Sequence, residues 1–148
     1  MSAHSLLLIE DNPDDIELIA GALTKVVPRD EIAVCDDGVL ALDYLFCRGA
    51  HAQRNPLEQP RLVLLDLTLP RLSGFEVLRE IRAGADTRLI PVVVLSASAE
   101  QTDIRAAAKY GANSYAIKPQ ELSRLSSTLE LLADYWLNLN IPPPCRLD

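Results

Sequence analysis

The chain has 148 residues and a net charge of −7, with 49 % apolar and 24 % charged residues. That length fits one globular domain with a core of its own, and an acidic chain without a basic cluster is a poor binder of nucleic acid. The first apolar run, Leu6–Ile9, is too short for a signal peptide, and no run approaches the roughly 20 residues of a membrane span. We therefore expect a cytoplasmic protein that binds neither nucleic acid nor membranes.

The cysteines and histidines argue against a zinc site. Cys35, Cys47 and Cys145 are odd in number and lack a Cys-x-x-Cys spacing, and the chain has only two histidines. Structural zinc sites need four such ligands at characteristic spacings. We expect three reduced thiols, as is usual inside the cell.

Five segments are predicted to be strands. Three are continuous apolar runs rather than alternating ones, which is typical of strands covered on both faces in a parallel sheet. The second and fifth segments are weaker. In chain order the segments are Leu6–Ile9, Ile32–Cys35, Leu62–Leu65, Pro91–Leu95 and Ser114–Ile117.

A helix is predicted after each strand. The first has Asn12 as N-cap and Pro13 at its first position. Ser73-Gly-Phe-Glu76 is a capping box for the third helix, which continues through Ile81. The apolar stripes of the first two helices are Ile16, Ile19, Leu23 and Val26, and Val39, Leu42, Leu45 and Phe46.

The last two helices are predicted from similar signals. Ser98-Ala-Glu-Gln101 resembles a capping box that opens the fourth helix, and Gly111 is a suitable residue just after its end. Pro119 is predicted to start the fifth helix. One side of that helix is formed by Leu122, Leu125, Leu129, Leu132 and Trp136.

This alternation of strands and helices predicts one α/β domain. Right-handed crossovers give a flavodoxin-like, doubly wound fold with five parallel strands in the order 2-1-3-4-5. We place the domain at residues 1–140. The segment Arg48–Pro60 is predicted to be an exposed loop, and the proline-rich tail 141–148 is predicted to be extended and loosely ordered.

Acidic residues follow the two strands that flank the point where the strand order reverses. Glu10 and Asp11 follow the first strand and Asp66 follows the third, and open α/β sheets bind ligands at this point. Three converging carboxylates repel one another unless a cation lies among them, and oxygen ligands that leave room for water and phosphate favour Mg²⁺. The alternative, a solvated loop residue, is reasonable for any one of these acids but poor for all three.

Two further side chains complete the candidate site. Ser96 ends the fourth strand and Lys118 follows the fifth, although each alone is more often a turn residue or a solvated surface lysine. With the carboxylates they supply the nucleophile, metal site, hydroxyl and cation that phosphoryl transfer requires. The chain has no Gly-rich nucleotide-binding loop, so the phosphoryl group must come from a separate donor.

These motifs, in this order and spacing, resemble the two-component receiver family over nearly the whole chain. The matching segments are Leu7–Pro13, Leu64–Pro70, Gly74, Pro91–Ser96 and Tyr115–Pro119.

The resemblance implies a role for each site residue. Asp66 would accept the phosphoryl group with the help of Mg²⁺. The implied metal ligands are Glu10, Asp11, Asp66 and the backbone carbonyl of Thr68. The implied phosphoryl contacts are Ser96 and Lys118, and the implied switch residues are Ser96 and Tyr115.

Finer features resemble the stand-alone receivers that partner cyanobacterial phytochrome histidine kinases. They are the segment Glu10–Asp15, the long loop before the third strand, Ala112–Tyr115 and the extended last helix with Trp136. Glu10 departs from the more usual Asp, so its longer side chain can reach the metal through water. The implied partner is a sensor histidine kinase, with a phytochrome as the favoured type.

The resulting hypothesis is a single-domain response regulator that catalyses only its own phosphorylation and dephosphorylation. Phosphorylation would draw Ser96 toward the phosphoryl group, turn Tyr115 inward and reshape the face of the fourth helix, fifth strand and fifth helix. A second apolar line on the last helix predicts a homodimer. The dimer candidates are Leu131, Tyr135, Trp136 and Leu139.

Three other functions compete with this hypothesis. An aspartyl-phosphate phosphatase would carry a second Asp two residues after the nucleophile, where this chain has Thr68. A flavodoxin-like electron carrier would have a hydroxyl-rich phosphate loop after the first strand. A pseudo-receiver that binds partners without phosphorylation is the serious alternative, although it would not need the acceptor, the metal ligands, the serine and the lysine together.

Overall fold

The computed structural model describes residues 4–145, within which five parallel strands form one sheet. The strands are β1 (Leu6–Ile9), β2 (Ile32–Cys35), β3 (Leu62–Leu65), β4 (Val92–Ser96) and β5 (Ser114–Ile117). They pair in the order β2-β1-β3-β4-β5. This order confirms the predicted flavodoxin-like topology.

Each strand is followed by a helix, as the sequence predicts. The helices are α1 (Pro13–Leu23), α2 (Gly38–Leu45), α3 (Gly74–Ala83), α4 (Gln101–Lys109) and α5 (Leu122–Asp134), and a π-helical turn over Tyr135–Leu139 extends the last one.

The residues of β1 alternate between two cores, one on each face of the sheet. Leu6 and Leu8 belong to the core that α1 and α5 cover, whereas Leu7 and Ile9 belong to the core that α2 and α3 cover. All four side chains are at most 2 % exposed. Burial on both faces explains the continuous apolar run, and it fixes the position of the residues that follow the strand.

Three predicted helix ends are confirmed. The Asn12 side chain accepts hydrogen bonds from the backbone of Asp14 (2.9 Å) and Asp15 (3.1 Å) at the start of α1. The Ser73 hydroxyl accepts one from the backbone of Glu76 at the start of α3. Gly111 follows α4 with a φ of +103°, a left-handed conformation that favours glycine.

The predicted start of α4 is wrong. The helix begins at Gln101, and its N-cap, Glu100, makes no side-chain capping hydrogen bond. The Ser98 hydroxyl accepts a hydrogen bond from the Glu100 backbone (3.2 Å) and donates one to the Asp103 carboxylate (2.6 Å). Ser98 therefore stabilises the loop before the helix. Its hydroxyl contacts the first turn of the helix through the Asp103 carboxylate rather than by accepting a backbone hydrogen bond from it.

The predicted start of α5 at Pro119 is also wrong, because the helix begins at Leu122. The backbone N–H of Lys118 donates to the Ser96 carbonyl (2.8 Å), which continues the pairing of β5 with β4. Pairing with the sheet extends through Lys118, and residues 119–121 form the non-helical link to the N-cap of the helix, Glu121. Leu122 is 60 % exposed and does not belong to the apolar side of the helix, whereas Leu125 is buried as predicted.

The π-helical turn changes which residues of the last helix are buried. The Asn140 N–H donates to the Tyr135 carbonyl (2.6 Å), so this turn holds one residue more than an α-helical turn. Leu137 is buried, and part of Trp136 packs against the same core. A regular α-helical period would not direct both Trp136 and Leu137, which are adjacent in sequence, toward the core.

The loop between α2 and β3 is packed against α2 by two of its side chains. The Arg54 guanidinium lies 3.8 Å from the centre of the Tyr44 ring and also donates to the Tyr44 and Glu58 carbonyls. The Gln59 side chain donates to the Leu45 carbonyl (2.9 Å). The sequence predicts that this loop is exposed, and in the structure only the side that faces away from α2 is.

The described part of the tail, residues 141–145, returns to this loop. Ile141 is 89 % exposed, but Cys145 donates to the Leu57 carbonyl (3.3 Å). Pro142 and Cys145 line a cavity of about 220 Å³ together with Leu57 and Leu89. The prediction of loose order also covered residues 146–148, which lie outside the described residues.

The remaining sequence predictions concern thiols and membrane spans. Cys35, Cys47 and Cys145 are free thiols, as predicted, and burial raises the pKa of the Cys35 thiol to about 12. Within residues 4–145, no helix combines the length and the apolar character that crossing a membrane requires.

Candidate functional site

Three carboxylates meet at the carboxyl ends of β1 and β3. Glu10 and Asp11 directly follow β1, and Asp66 directly follows β3. The Asp66 N–H donates to the Ile9 carbonyl (3.0 Å), which continues the pairing of the two strands and sets Asp66 beside Glu10. One oxygen from each carboxylate lies within 4.8 Å of the other two. The structure thus brings together the three acids that the topology predicts to converge.

Two of the three carboxylates are buried, and burial raises their pKa values. Glu10 is 2 % exposed and Asp66 is 9 % exposed, whereas Asp11 lies at the surface. Burial is the main cause of a raised pKa at both Glu10 and Asp66. The charge of Asp66 adds to the rise at Glu10, and the charge of Asp11 adds to the rise at Asp66. Ionised, this cluster holds negative charge that the protein only partly compensates.

Among residues 4–145, Lys118 is the one whose ammonium group lines this site. Its Nζ lies 2.7 Å from Glu10 Oε2 and 3.9 Å from Asp66 Oδ2. Burial alone would lower the lysine pKa, but the hydrogen bond to Glu10 and the charges of the nearby carboxylates outweigh burial and raise it. The ammonium therefore stays charged beside the acids.

Asp15 is a site residue that the sequence reasoning did not single out. Its Oδ2 lies 3.3 Å from Lys118 Nζ, and its side chain is 40 % exposed. A signal was present, because the Asn12 cap and Pro13 start α1 at the edge of the sheet and set Asp15 in its first turn. The partner of Asp15, Lys118, is 103 residues away in the sequence, so the local pattern does not reveal this contact.

Ser96 and Thr68 line the same site as the acids. Ser96 ends β4, is buried, and its hydroxyl accepts a hydrogen bond from the Ser98 backbone (3.1 Å). The Thr68 N–H lies 3.5 Å from Asp66 Oδ1. A cavity of about 470 Å³ opens above these residues. It is lined by Glu10, Asp11, Asn12, Asp15, Asp66, Thr68, Ser96, Ala97, Ser98 and Lys118.

Gly74 allows α3 to approach the backbone of Asp66. A Cβ at this position would lie 2.5 Å from the Asp66 carbonyl oxygen and 2.6 Å from Leu67 Cα. Both are backbone atoms that cannot move aside easily. The Gly74 N–H also donates to the Leu67 carbonyl (2.9 Å), so the start of α3 fixes the backbone beside Asp66.

Tyr115 lies on β5 next to the loop that carries Ser96. Its hydroxyl donates to the Ser98 carbonyl (2.8 Å), and its half-buried ring packs against Leu67, Val94 and Ala107. Ser98 is thus bonded both to the Ser96 hydroxyl and to the Tyr115 hydroxyl. This contact provides the connection between the cavity and β5 that a switch role for Tyr115 needs.

The donor set fits a hard divalent cation. All the ligands are oxygens, two of the carboxylates are buried, and one lysine cannot neutralise the cluster. Oxygen ligands with room for water are what Mg²⁺ prefers in proteins. Glu10, Asp11 and Asp66 would hold the ion, and the open cavity leaves positions for water and for a phosphoryl oxygen.

Comparisons with known proteins agree on one family. The pattern of the response regulator receiver domain matches residues 6–130. The chain is 40 % identical over 138 residues to the probable methanogenesis regulatory protein FilR2 of Methanothrix harundinacea, which covers 93 % of this chain and 86 % of FilR2. It is 34 % identical over 132 residues to response regulator Rcp1 of Synechocystis, which covers 89 % of this chain and 88 % of Rcp1.

Two solved structures match the fold over nearly its full length. The phosphorylated cyanobacterial phytochrome response regulator RcpA has a TM-score of 0.88 and 36 % identity, covering 96 % of this chain and 99 % of RcpA. The Mn²⁺-bound form of Rcp1 has a TM-score of 0.83 and 34 % identity, covering 93 % of this chain and 97 % of Rcp1.

Proposed function

This chain belongs to the response regulator receiver family, and we propose that it accepts a phosphoryl group on Asp66 from a partner sensor histidine kinase. The observation that carries the proposal is the cavity in which Asp66 lies beside two further carboxylates, the Lys118 ammonium and the Ser96 hydroxyl. Receiver proteins are generally signalling proteins rather than enzymes. We propose that this one catalyses only its own phosphorylation and dephosphorylation.

In the proposed reaction, an Asp66 carboxylate oxygen attacks the phosphorus of a phosphohistidine. The phosphorus–nitrogen bond breaks, and the departing histidine nitrogen takes a proton from water. Lys118 and Ser96 then hold oxygens of the transferred group, which is the positioning and charge stabilisation that phosphoryl transfer requires. A bound Mg²⁺, with Glu10, Asp11, Asp66 and the Thr68 carbonyl as proposed ligands, supplies positive charge to those oxygens.

Intact mass spectrometry after incubation with acetyl phosphate and Mg²⁺ tests the proposal. We expect one phosphoryl adduct, mapped to Asp66 and lost when Mg²⁺ is chelated. Asp66→Asn should remove the adduct, because an amide is not a nucleophile toward phosphorus. Asp30→Asn, at an exposed position remote from the cavity, is the matched control and should be labelled as the wild type is. An adduct that persists in Asp66→Asn would refute the assignment.

The second candidate function is the pseudo-receiver, which binds partners without phosphorylation. One observation favours it: the Asp11 side chain is exposed, as the side chain of a solvated loop residue would be. A folded wild type that takes no phosphoryl group from acetyl phosphate, and none from a panel of autophosphorylated histidine kinases, would establish it. The buried Glu10 and Asp66 argue against it, because buried carboxylates are costly and are seldom kept without a function.

We favour a phytochrome as the partner kinase. The likeness to RcpA, a cyanobacterial phytochrome response regulator, supports this choice. The likeness to FilR2 makes another histidine kinase the alternative. Phosphotransfer from a purified, autophosphorylated cyanobacterial phytochrome, compared with a kinase without a light-sensing domain, distinguishes them. We place this exchange in the cytoplasm, without nucleic acid or membrane as a partner.

Signalling would proceed through the face formed by α4, β5 and α5. In the proposed switch, Ser96 moves toward the phosphoryl group, its hydrogen bond from the Ser98 backbone is released, and Tyr115 moves with the loop. Ile104 and Ile117 are apolar and partly exposed on this face, so a change of shape there alters a surface that a partner can contact.

We further propose a homodimer that uses the outer line of the last helix. Leu131 and Leu139 are 73 % and 72 % exposed, and Tyr135 lies between them at 45 %. Trp136 packs partly against the core and makes an edge contact with Tyr135 at 5.0 Å, so it borders this line. Sedimentation over a concentration series should show a dimer that Leu131→Asp dissociates and Leu40→Asp, on α2, does not.

A further inference from the structure

We propose that Asp15 is a positioning residue that orients the Lys118 ammonium for phosphoryl transfer. This inference rests on the proposed function and adds a residue to it. Lys118 Nζ lies within hydrogen-bond distance of two carboxylates, Glu10 (2.7 Å) and Asp15 (3.3 Å), and beyond that distance from Asp66 (3.9 Å). The ammonium therefore lies between a residue after β1 and a residue of α1, facing Asp66 without bonding to it.

The number of donors explains why two carboxylates are useful. A lysine ammonium has three N–H groups arranged tetrahedrally. Glu10 takes one and Asp15 takes one, so the third is left for the Asp66 side, where a phosphoryl oxygen would lie. With Glu10 as its only partner, the ammonium could turn about that single hydrogen bond. Asp15 removes this freedom, and orientation of a group before the reaction is a source of rate.

The backbone holds both carboxylates in place. The Asp15 N–H donates to the Asn12 side chain (3.1 Å), which fixes the first turn of α1. The Asn12 N–H in turn donates to Glu10 Oε1 (3.3 Å). One residue, Asn12, therefore links the two partners of Lys118, and their separation is set by the capped start of the helix.

Asp15 can be replaced without leaving a buried charge. Its side chain is 40 % exposed, whereas that of Glu10 is 2 % exposed. Asp15→Ala removes the acceptor and the charge, and Asp15→Asn keeps an acceptor oxygen but removes the charge. Asp14→Ala removes the same charge from an exposed side chain of the same helical turn that does not line the cavity. It is the matched control.

The first test measures the initial rate of Asp66 phosphorylation against acetyl phosphate concentration, with Mg²⁺ saturating. For Asp15→Ala we expect the rate at saturating donor to fall by about threefold to fivefold, as for the loss of a half-exposed ion pair. The half-saturating donor concentration should stay within about twofold. Asp15→Asn should recover most of the rate because it restores the acceptor, and Asp14→Ala should match the wild type.

The proposal is overturned if replacing Asp15 leaves the phosphorylation rate unchanged, or if the rate depends only on the charge of Asp15. If Asp15→Ala equals Asp14→Ala, Asp15 does not position the lysine. If Asp15→Ala and Asp15→Asn lose the same amount of rate relative to the wild type, the charge of Asp15 matters and its orientation of the ammonium does not. If the wild type itself is never phosphorylated, the proposed function fails, and a second measurement still decides the geometry.

The second measurement is the ¹⁵N NMR signal of the Lys118 ammonium in metal-free protein, identified by its absence in Lys118→Arg. An ammonium held by two carboxylates exchanges its protons slowly and gives a visible signal. We expect this signal in the wild type and in Asp14→Ala, and its broadening or loss in Asp15→Ala. An unchanged signal in Asp15→Ala would overturn the positioning role whatever the phosphorylation rates are.

Discussion

At the amino end of the sheet, the Arg82 guanidinium donates to four neutral oxygens. They are the carbonyls of Gly111 (2.9 Å), Arg88 (3.0 Å) and Ile90 (2.8 Å), and the Asn113 side chain (2.8 Å), which also accepts from the backbone at the start of β4. At the carboxyl end, the Lys118 ammonium faces three carboxylates instead.

The two ends thus use a half-buried cation for different purposes. Around Arg82 the acceptors are neutral backbone and amide oxygens, so every partner is satisfied and the ends of α3 and α4 are joined to the sheet. Around Lys118 the carboxylates outnumber the cation, and this is the end at which we propose that a further cation binds. One end of the sheet thus satisfies its cation with neutral acceptors, whereas the other keeps an excess of negative charge.

The largest effect should come from breaking the amino end. Arg82→Ala leaves several carbonyl oxygens without a donor, and we expect the free energy of unfolding to fall by about 3 kcal/mol in urea denaturation. Arg82→Lys should recover only part of this loss, because an ammonium cannot reproduce the planar set of donors. Arg79→Ala, an exposed arginine on the same helix, should cost less than about 1 kcal/mol. Equal losses for the two alanine variants would contradict this account.

The next effect concerns the excess charge at the carboxyl end. Mg²⁺ at about 100 times its Kd should raise the free energy of unfolding by about 2.7 kcal/mol, since it binds only the folded protein. Asp11→Asn removes a proposed ligand and should lose most of this gain at the same Mg²⁺ concentration. Asp14→Asn, with the same change of charge, should keep it. Thermal unfolding with and without the ion measures both, and an equal response of the two variants would argue against the assigned ligands.

The smallest effect concerns the protonation of Asp66. Burial raises the folded-state pKa of Asp66 above its ordinary value of 3.8. The stability that protonated Asp66 contributes is therefore complete below that ordinary value and is lost as pH rises through the folded-state pKa. Asp66→Asn stays neutral and cannot suffer this loss.

Without metal, Asp66→Asn should therefore equal the wild type near pH 3 and be more stable by about 1 kcal/mol at pH 7.5. Denaturant titrations of both proteins across this range measure the difference. A difference that is constant with pH would mean that ionised Asp66 is not destabilising. Arg82, at the amino end of the sheet, should show no such dependence of stability on pH, because it stays charged over the whole range even though burial lowers its pKa.

The sequence predicted the carboxyl end well because its signals are local. Apolar runs identify β1 and β3, the acids stand directly after them, and the strand order follows from the repeated βα pattern. The sequence therefore predicts that Glu10, Asp11 and Asp66 lie together, as they do in the structure, and the receiver fold and family are confirmed.

The partners of the two cations were not predictable in the same way. Asp15 reaches Lys118 across 103 residues, and Arg82 reaches Asn113 across 31. Such contacts depend on side-chain directions that no local period encodes. The prediction for the start of α5 was also wrong, because residues 119–121 link the sheet to the helix and Pro119 does not occupy a first helical turn.

The π-helical turn at the end of α5 has a consequence for the evolution of the tail. A turn with one residue more than its α-helical counterpart is equivalent to a single-residue insertion. Because the wider turn absorbs the extra residue, deleting one residue between Tyr135 and Leu139 would restore an α-helical turn and leave the residues that follow in nearly the same direction. Residues 141–145 could then still run toward Leu57. In related chains, a one-residue gap in this turn therefore predicts a regular helix end with the same course of the tail.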